Sequence, residues 1–92
     1  MNEKQVAVQP HDIVMKGRRN LSVTGVEEVL GCDEEVLSIK TVMGKMTVVG
    51  IHLHIGSFNR STGELKVDGE IKELFYEDVE LKKQGIFSRL FR

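Results

Sequence analysis

The sequence is poor in the residues that mark a disulfide scaffold or a membrane segment. Its 92 residues include one cysteine, one proline and no tryptophan. A single cysteine excludes an intrachain disulfide, so an oxidising compartment is not implied. No window reaches the ~20 apolar residues of a membrane span, and the first ten residues lack the apolar core of a signal peptide. These absences predict a cytoplasmic protein.

A surplus of charge is lacking as well. Thirteen Lys and Arg residues against fourteen Asp and Glu residues give a formal net charge of -1. Nucleic-acid binding depends on a basic surplus that displaces counterions from the phosphates, so we expect no nucleic-acid partner.

The chain does contain short apolar stretches separated by glycines. The stretches at 21–24 and 37–40 alternate apolar with polar residues, which is the period of a β-strand. The run 41–50 indicates a hairpin, because Gly44 can adopt the positive φ of a tight reversal. Residues 59–63 read as a polar turn. Neither face of the run 70–76 is wholly apolar. A bulge, or burial on both sides near its end, would reconcile this mixed pattern with a β-strand.

This pattern predicts an all-β fold, a small antiparallel β-sandwich that is Ig-like or a similar meander, with a short amphipathic C-terminal tail. We divide the chain into a flexible N-terminal lead-in (residues 1–10), the sandwich domain (11–78), and a charged connector with an amphipathic C-terminal segment (79–92).

No group of residues predicts catalysis. His52 and His54 share a strand face, but two ligands do not complete a metal site, and solvent-facing histidines are the favoured interpretation. Cys32 precedes Asp33 and two glutamates, and neighbouring carboxylates disfavour a thiolate. We therefore expect no enzyme activity, no catalytic residue, no cofactor and no metal.

The densest basic cluster surrounds Gly17 and consists of Lys16, Arg18 and Arg19. It can be interpreted as a contact for phosphates of nucleic acid or lipid, or as a solvated entrance to a strand. The second interpretation is favoured, because no aromatic residue that could stack on a base is interleaved with the cluster.

The C-terminal segment is unusually apolar for a chain end. In a short helix from Gly85, one face would be apolar and the other would carry arginines. Eight residues cannot hold a helix alone in water, so some surface must organise them. Three surfaces are open: the protein's own sheet, the groove of a protein partner, and an anionic membrane. The predicted partner-binding residues are Ile86, Phe87, Arg89, Leu90, Phe91 and Arg92.

Three segments carry a family resemblance: Asp12-Ile13-Val14-Met15-Lys16-Gly17-Arg18-Arg19 with the following residues 21–26, the turn at 41–44, and the closing residues 85–91. Together they resemble the YabP family of sporulation proteins, which is related to YqfC. The resemblance runs from about His11 to the end of the chain. It implies a β-sandwich protein of endospore-forming bacteria that is made during sporulation and is associated with spore cortex formation. It supplies no catalytic residues.

These observations predict a non-enzymatic docking or scaffold module that works through its C-terminal apolar segment. The expected partner is a protein, for which a membrane protein of the sporulation machinery is one candidate. Peripheral contact with the membrane around the developing spore is a second expectation. The alternative is a self-assembling structural β protein, a homo-oligomer formed through sheet edges that only scattered Lys and Glu residues protect.

Overall fold

Six β-strands make up the structure, a computed structural model that describes residues 10–77. In chain order they are β1 (Ile13–Lys16), β2 (Asn20–Val23), β3 (Val26–Cys32), β4 (Val36–Thr41), β5 (Gly44–Asn59) and β6 (Glu64–Glu77). They form one antiparallel sheet in the order β1-β2-β6-β5-β4-β3. The all-β, antiparallel prediction is confirmed. The sandwich of two sheets is not confirmed, because all six strands pair within a single sheet.

The long hairpin of β5 and β6 is the centre of this sheet, and both of its strands are irregular at the same level. The β5–β6 register shifts between Val49 and Gly50 and again between Ile51 and His54. Opposite these shifts, Gly69 has a φ of 135°. The first part of β5 also pairs with β4, whereas the first part of β6 also pairs with β2. The sheet therefore has two halves that meet at this irregular level.

The β3–β4 turn is hydrogen-bonded to the irregular part of β5. The backbone N–H of Gly50 donates to the carbonyl of Glu35 (3.0 Å), and that of Leu53 donates to the carbonyl of Glu34 (2.9 Å). Shifts of register leave main-chain donors without ladder partners, and unpaired donors are costly. The turn supplies acceptors for two such donors and so fixes the outer hairpin to the central one.

Both halves of the sheet contribute to one core. Alternate residues of the strands point to the same side, and eleven apolar side chains there are at most 3% exposed. The cluster includes residues from β2 through β6, so both halves of the sheet shield the same interior. The cluster consists of Leu21, Val23, Val26, Leu37, Ile39, Met46, Val48, Leu53, Leu65, Val67 and Ile71.

A bulge in the last strand resolves its mixed sequence pattern, as one of the two sequence interpretations proposed. Gly50 pairs with Ile71 and Val49 pairs with Glu73, so Lys72 is the extra residue. Ile71 is buried, and Leu74 becomes the next residue that packs against the core. Phe75, which would share a face with Ile71 in a regular strand, is 41% exposed.

Candidate functional site

The predicted basic cluster lies at the turn between β1 and β2. The N–H of Arg19 donates to the carbonyl of Lys16 (3.0 Å), and Gly17 and Arg18 between them have φ values of 59° and 56°. Two consecutive left-handed residues give the mirror-image turn that matches the twist of paired strands. Glycine adopts this conformation freely, whereas Arg18 adopts it at a cost in backbone strain.

Arg18 holds this turn against β6. Its Nε donates to the carbonyl of Ile71 (3.0 Å), and its Nη2 donates to the carbonyl of Lys72 (3.4 Å). The main chain adds to this contact, because the carbonyls of Arg18 and Arg19 accept from the N–H groups of Ile71 (2.8 Å) and Gly69 (3.2 Å). The guanidinium thus binds main-chain carbonyls beyond the residues that pair with β2. This structural role has no signal in the sequence.

Arg19 and Lys72 lie beside a carboxylate. A shallow depression next to the turn is lined by Gly17, Arg18, Arg19, Glu70 and Lys72. Glu70 places a negative charge among the cations, which lowers the local attraction for phosphate. The cluster is therefore a mixed-charge surface and not a continuous basic one.

Lys16 lies at the end of a polar row that crosses four strands. Lys16 pairs with Asn20, Asn20 pairs with Asp68, and Asp68 pairs with His54. Asn20 Nδ2 donates to Asp68 Oδ1 (2.7 Å), and His54 Nε2 lies 3.6 Å from Asp68 Oδ2. Gly56 leaves room for this carboxylate, since a Cβ there would lie 3.0 Å from Asp68 Oδ2. Asp68 therefore accepts a hydrogen bond from Asn20 of β2 and lies beside His54 of β5.

Asp68 is the centre of this row, and no motif in the sequence marks it as such. The alternation of polar and apolar residues in β6 places Asp68 on the face opposite Leu65 and Val67. Which residues of β2 and β5 lie beside it depends on the register between strands distant in the chain. That register was not available from local sequence patterns.

The two strand histidines face solvent, as expected, and contact different carboxylates. His52 has a φ of 56° and its Nδ1 lies 3.6 Å from Glu34 Oε1, whereas His54 lies beside Asp68. Their side chains are 82% and 67% exposed. Among residues 10–77, no three His, Cys, Asp or Glu side chains converge in a way that could hold a metal ion.

Cys32 is exposed at the end of β3. Its thiol pKa is raised, mainly by partial burial and secondarily by the charge of Asp33. The neighbouring carboxylates in the sequence predict the same direction, but the larger cause is burial. A raised pKa leaves little thiolate at neutral pH, which makes the thiol a weak nucleophile.

Asp33 begins the β3–β4 turn. Its Oδ1 accepts the backbone N–H groups of Glu35 and Val36, both at 2.8 Å. These two bonds favour the ionised carboxylate and hold the pKa of Asp33 below its usual range. The charge of Asp33 therefore stabilises the turn that contacts β5.

The predicted partner-binding residues lie outside residues 10–77. Within the described residues, the last strand ends with two exposed aromatic residues, Phe75 (41%) and Tyr76 (39%). The Tyr76 hydroxyl hydrogen-bonds to His11 Nε2, and the two rings are arranged edge to face. No helix among the described residues is long and apolar enough to cross a membrane.

Comparison with known proteins identifies a family and a curated relative. The family model described as the YabP family matches residues 7–83. The relative is "Spore protein YabP" of Bacillus subtilis (strain 168), which is 35% identical over 86 residues. The match covers 91% of this chain and 86% of the relative, so it includes the whole described sheet.

Proposed function

Because the chain belongs to the YabP family, we propose that it is a sporulation protein that acts as a non-enzymatic docking or scaffold module in spore cortex formation. The observation that carries this proposal is the 35% identity to a spore protein over 91% of the chain. Conservation of sequence over this length favours a shared cellular setting, since it spans the domain rather than one motif.

The docking role rests on the apolar character of the C-terminal segment. Phe75 and Tyr76 support it, because they add exposed aromatic surface at the point where the described sheet leads into residues 78–92. Exposed aromatic residues are typical of surfaces that bind other proteins. The proposed binding residues are Phe87, Leu90 and Phe91 in particular.

The proposed partner is a protein, and a membrane protein of the sporulation machinery fits best. Lys82, Lys83, Arg89 and Arg92 bring positive charge close to the apolar segment, and basic residues beside an apolar face favour an anionic membrane surface. We propose a cytoplasmic protein held peripherally at the membrane around the developing spore.

The test is complementation in an endospore-forming host that lacks its own family member. The full chain and a variant without residues 85–92 are each expressed as fluorescent fusions. The number of heat-resistant spores, cortex thickness and position in the cell are then recorded. We expect the deletion variant to lose both the cortex function and the membrane position. Full complementation by this variant would refute docking through the segment.

Two further measurements separate docking from packing on the protein's own sheet. Thermal unfolding of the purified deletion variant shows whether residues 85–92 stabilise the domain. The substitutions Phe87→Ser and Phe91→Ser probe the apolar face directly, and Ser88→Ala is the matched control. Lost complementation with unchanged thermal stability supports docking, whereas a large fall in stability supports packing on the sheet.

A further inference from the structure

The strand β1 is an open edge of the sheet. In the order of the strands it lies outermost, and only β2 pairs with it among residues 10–77. Its apolar residues Ile13, Val14 and Met15 are 36%, 49% and 38% exposed. An edge with free main-chain groups and apolar side chains is a template for pairing with another strand.

The opposite edge of the sheet differs from this one. Pairing of β3 with β4 is interrupted by two register shifts, and β3 carries Glu27 and Glu28 on its exposed surface. Bulges and charges are the usual protection of an edge strand. By contrast, the register of β1 with β2 is continuous from Ile13 to Lys16. The pairing-competent edge is therefore β1.

The hydrogen bonds of β1 show which of its main-chain groups face β2 and which face away from the described sheet. The N–H of Thr24 donates to the carbonyl of Asp12 (2.9 Å), which extends the β1–β2 register by one residue. Hydrogen-bonded and non-hydrogen-bonded pairs alternate in antiparallel strands, so Val14 and Lys16 also direct their main-chain groups toward β2. The N–H and C=O groups of Ile13 and Met15 consequently point outward.

The residues of this edge are complementary to themselves in antiparallel orientation. The segment Asp12-Ile13-Val14-Met15-Lys16 has an acid at one end, a base at the other and apolar residues between. We propose that two copies of the chain pair through β1, antiparallel, about a twofold axis at Val14. A closed twofold contact of this kind uses the same surface on both copies.

The proposed register gives hydrogen-bond partners to the outward main-chain groups and favourable contacts to the side chains. Ile13 of one copy lies opposite Met15 of the second copy, and their outward N–H and C=O groups bond to each other. On the face of the sheet away from the core, Val14 contacts Val14 of the second copy. On that same face, Asp12 lies opposite Lys16 of the second copy at both ends of the contact.

Sedimentation of the full chain from micromolar to millimolar concentration tests this pairing. We expect the mass to rise to that of a dimer. Lys16→Asp places two acids opposite each other at both ends and is expected to weaken association about tenfold. The double variant Asp12→Lys with Lys16→Asp is expected to restore it. Arg60→Asp, the same charge change in the β5–β6 turn, is the control that leaves association unchanged.

Disulfide formation tests the position of the axis. Val14→Cys in a Cys32→Ser background places two cysteines in a non-hydrogen-bonded pair with Cα atoms about 4.5 Å apart, within disulfide range. Ile13→Cys in the same background is the control, because two copies of residue 13 are diagonal neighbours about 7–8 Å apart. Oxidation should link the first variant and not the second.

A monomeric mass throughout would overturn the proposal. So would a dimer that is insensitive to Lys16→Asp and that Val14→Cys does not link. This pairing is independent of residues 85–92, so loss of docking in the deletion variant leaves the expected dimer unchanged.

Discussion

Gly50 of β5 lies close to the main chain of β6. Among the glycines without a positive φ, we expect Gly50→Ala to destabilise the fold the most. A Cβ there would lie 2.1 Å from the carbonyl oxygen of Glu70 and 2.9 Å from Leu53 Cδ2. The leucine methyl can move by rotation of its side chain. The carbonyl belongs to the main chain of the neighbouring strand, so the strands themselves must separate.

The size of this effect follows from the contacts that are lost. The strands must open by about 1 Å, because a Cβ closer than 3.0 Å to another heavy atom is essentially never observed. Forcing an extra methyl into a packed site costs about 1–3 kcal/mol. Loss of the 3.0 Å bond from the N–H of Gly50 to Glu35 adds about 1 kcal/mol. The expected decrease in the free energy of unfolding is about 2–4 kcal/mol, which lowers the melting temperature by about 10 °C or more.

Denaturant unfolding followed by circular dichroism measures this loss, and two other glycines separate its causes. Gly31→Ala meets no atom within 4 Å and is expected to change stability by less than about 0.5 kcal/mol. Gly17→Ala also has open space but a φ of +59°, so it isolates backbone strain of about 1–2 kcal/mol. If Gly50→Ala and Gly31→Ala have the same free energy of unfolding, the close approach of β5 to Glu70 is refuted.

Four other substitutions have expected outcomes that thermal or denaturant unfolding measures. Arg18→Ala should lose about 1–2 kcal/mol because two guanidinium bonds to carbonyls disappear, whereas Arg19→Ala, which leaves its main-chain bond intact, should change stability by less than about 0.5 kcal/mol. His52→Gly removes a left-handed non-glycine residue and should stabilise the fold by up to about 1 kcal/mol; a loss of stability would contradict this. Asp33→Asn should be less stable than the parent at pH 7. The Asp33 pKa is lowered in the fold, so this difference is present above about pH 4 and disappears as pH falls through the lowered pKa; a constant difference down to pH 2 would contradict the assignment.

Local features of the fold were predictable because their causes lie within a few residues. The hairpin around Gly44 forms between β4 and β5, and the polar turn precedes β6, as the glycine and polar residues indicated. The bulge in β6 was one of two interpretations of a strand whose faces were both mixed. Lys72 is the bulged residue, which is why Ile71 and Leu74 both pack against the core.

Features that join distant segments were not predictable from the same patterns. Period-two alternation says which residues share a face but not which strands are neighbours, so it did not distinguish one sheet from two. The contact of Arg18 with Ile71 spans 53 residues, and that of Asn20 with Asp68 spans 48. The sequence patterns placed Arg18 in a solvated strand entrance, with a phosphate contact as the alternative. Its partners in the structure are main-chain carbonyls, which leave no mark on the sequence.

The attachment of the two outer turns to the central hairpin gives each turn its own reporter in hydrogen exchange. The amides of Gly50 and Leu53 bond to the β3–β4 turn, and those of Gly69 and Ile71 bond to the β1–β2 turn. Opening of one outer hairpin should release its own pair of amides to deuterium while the other pair stays protected. If all four amides exchange at one rate, the sheet opens as a single unit; two rates would show that each outer hairpin leaves the central one separately.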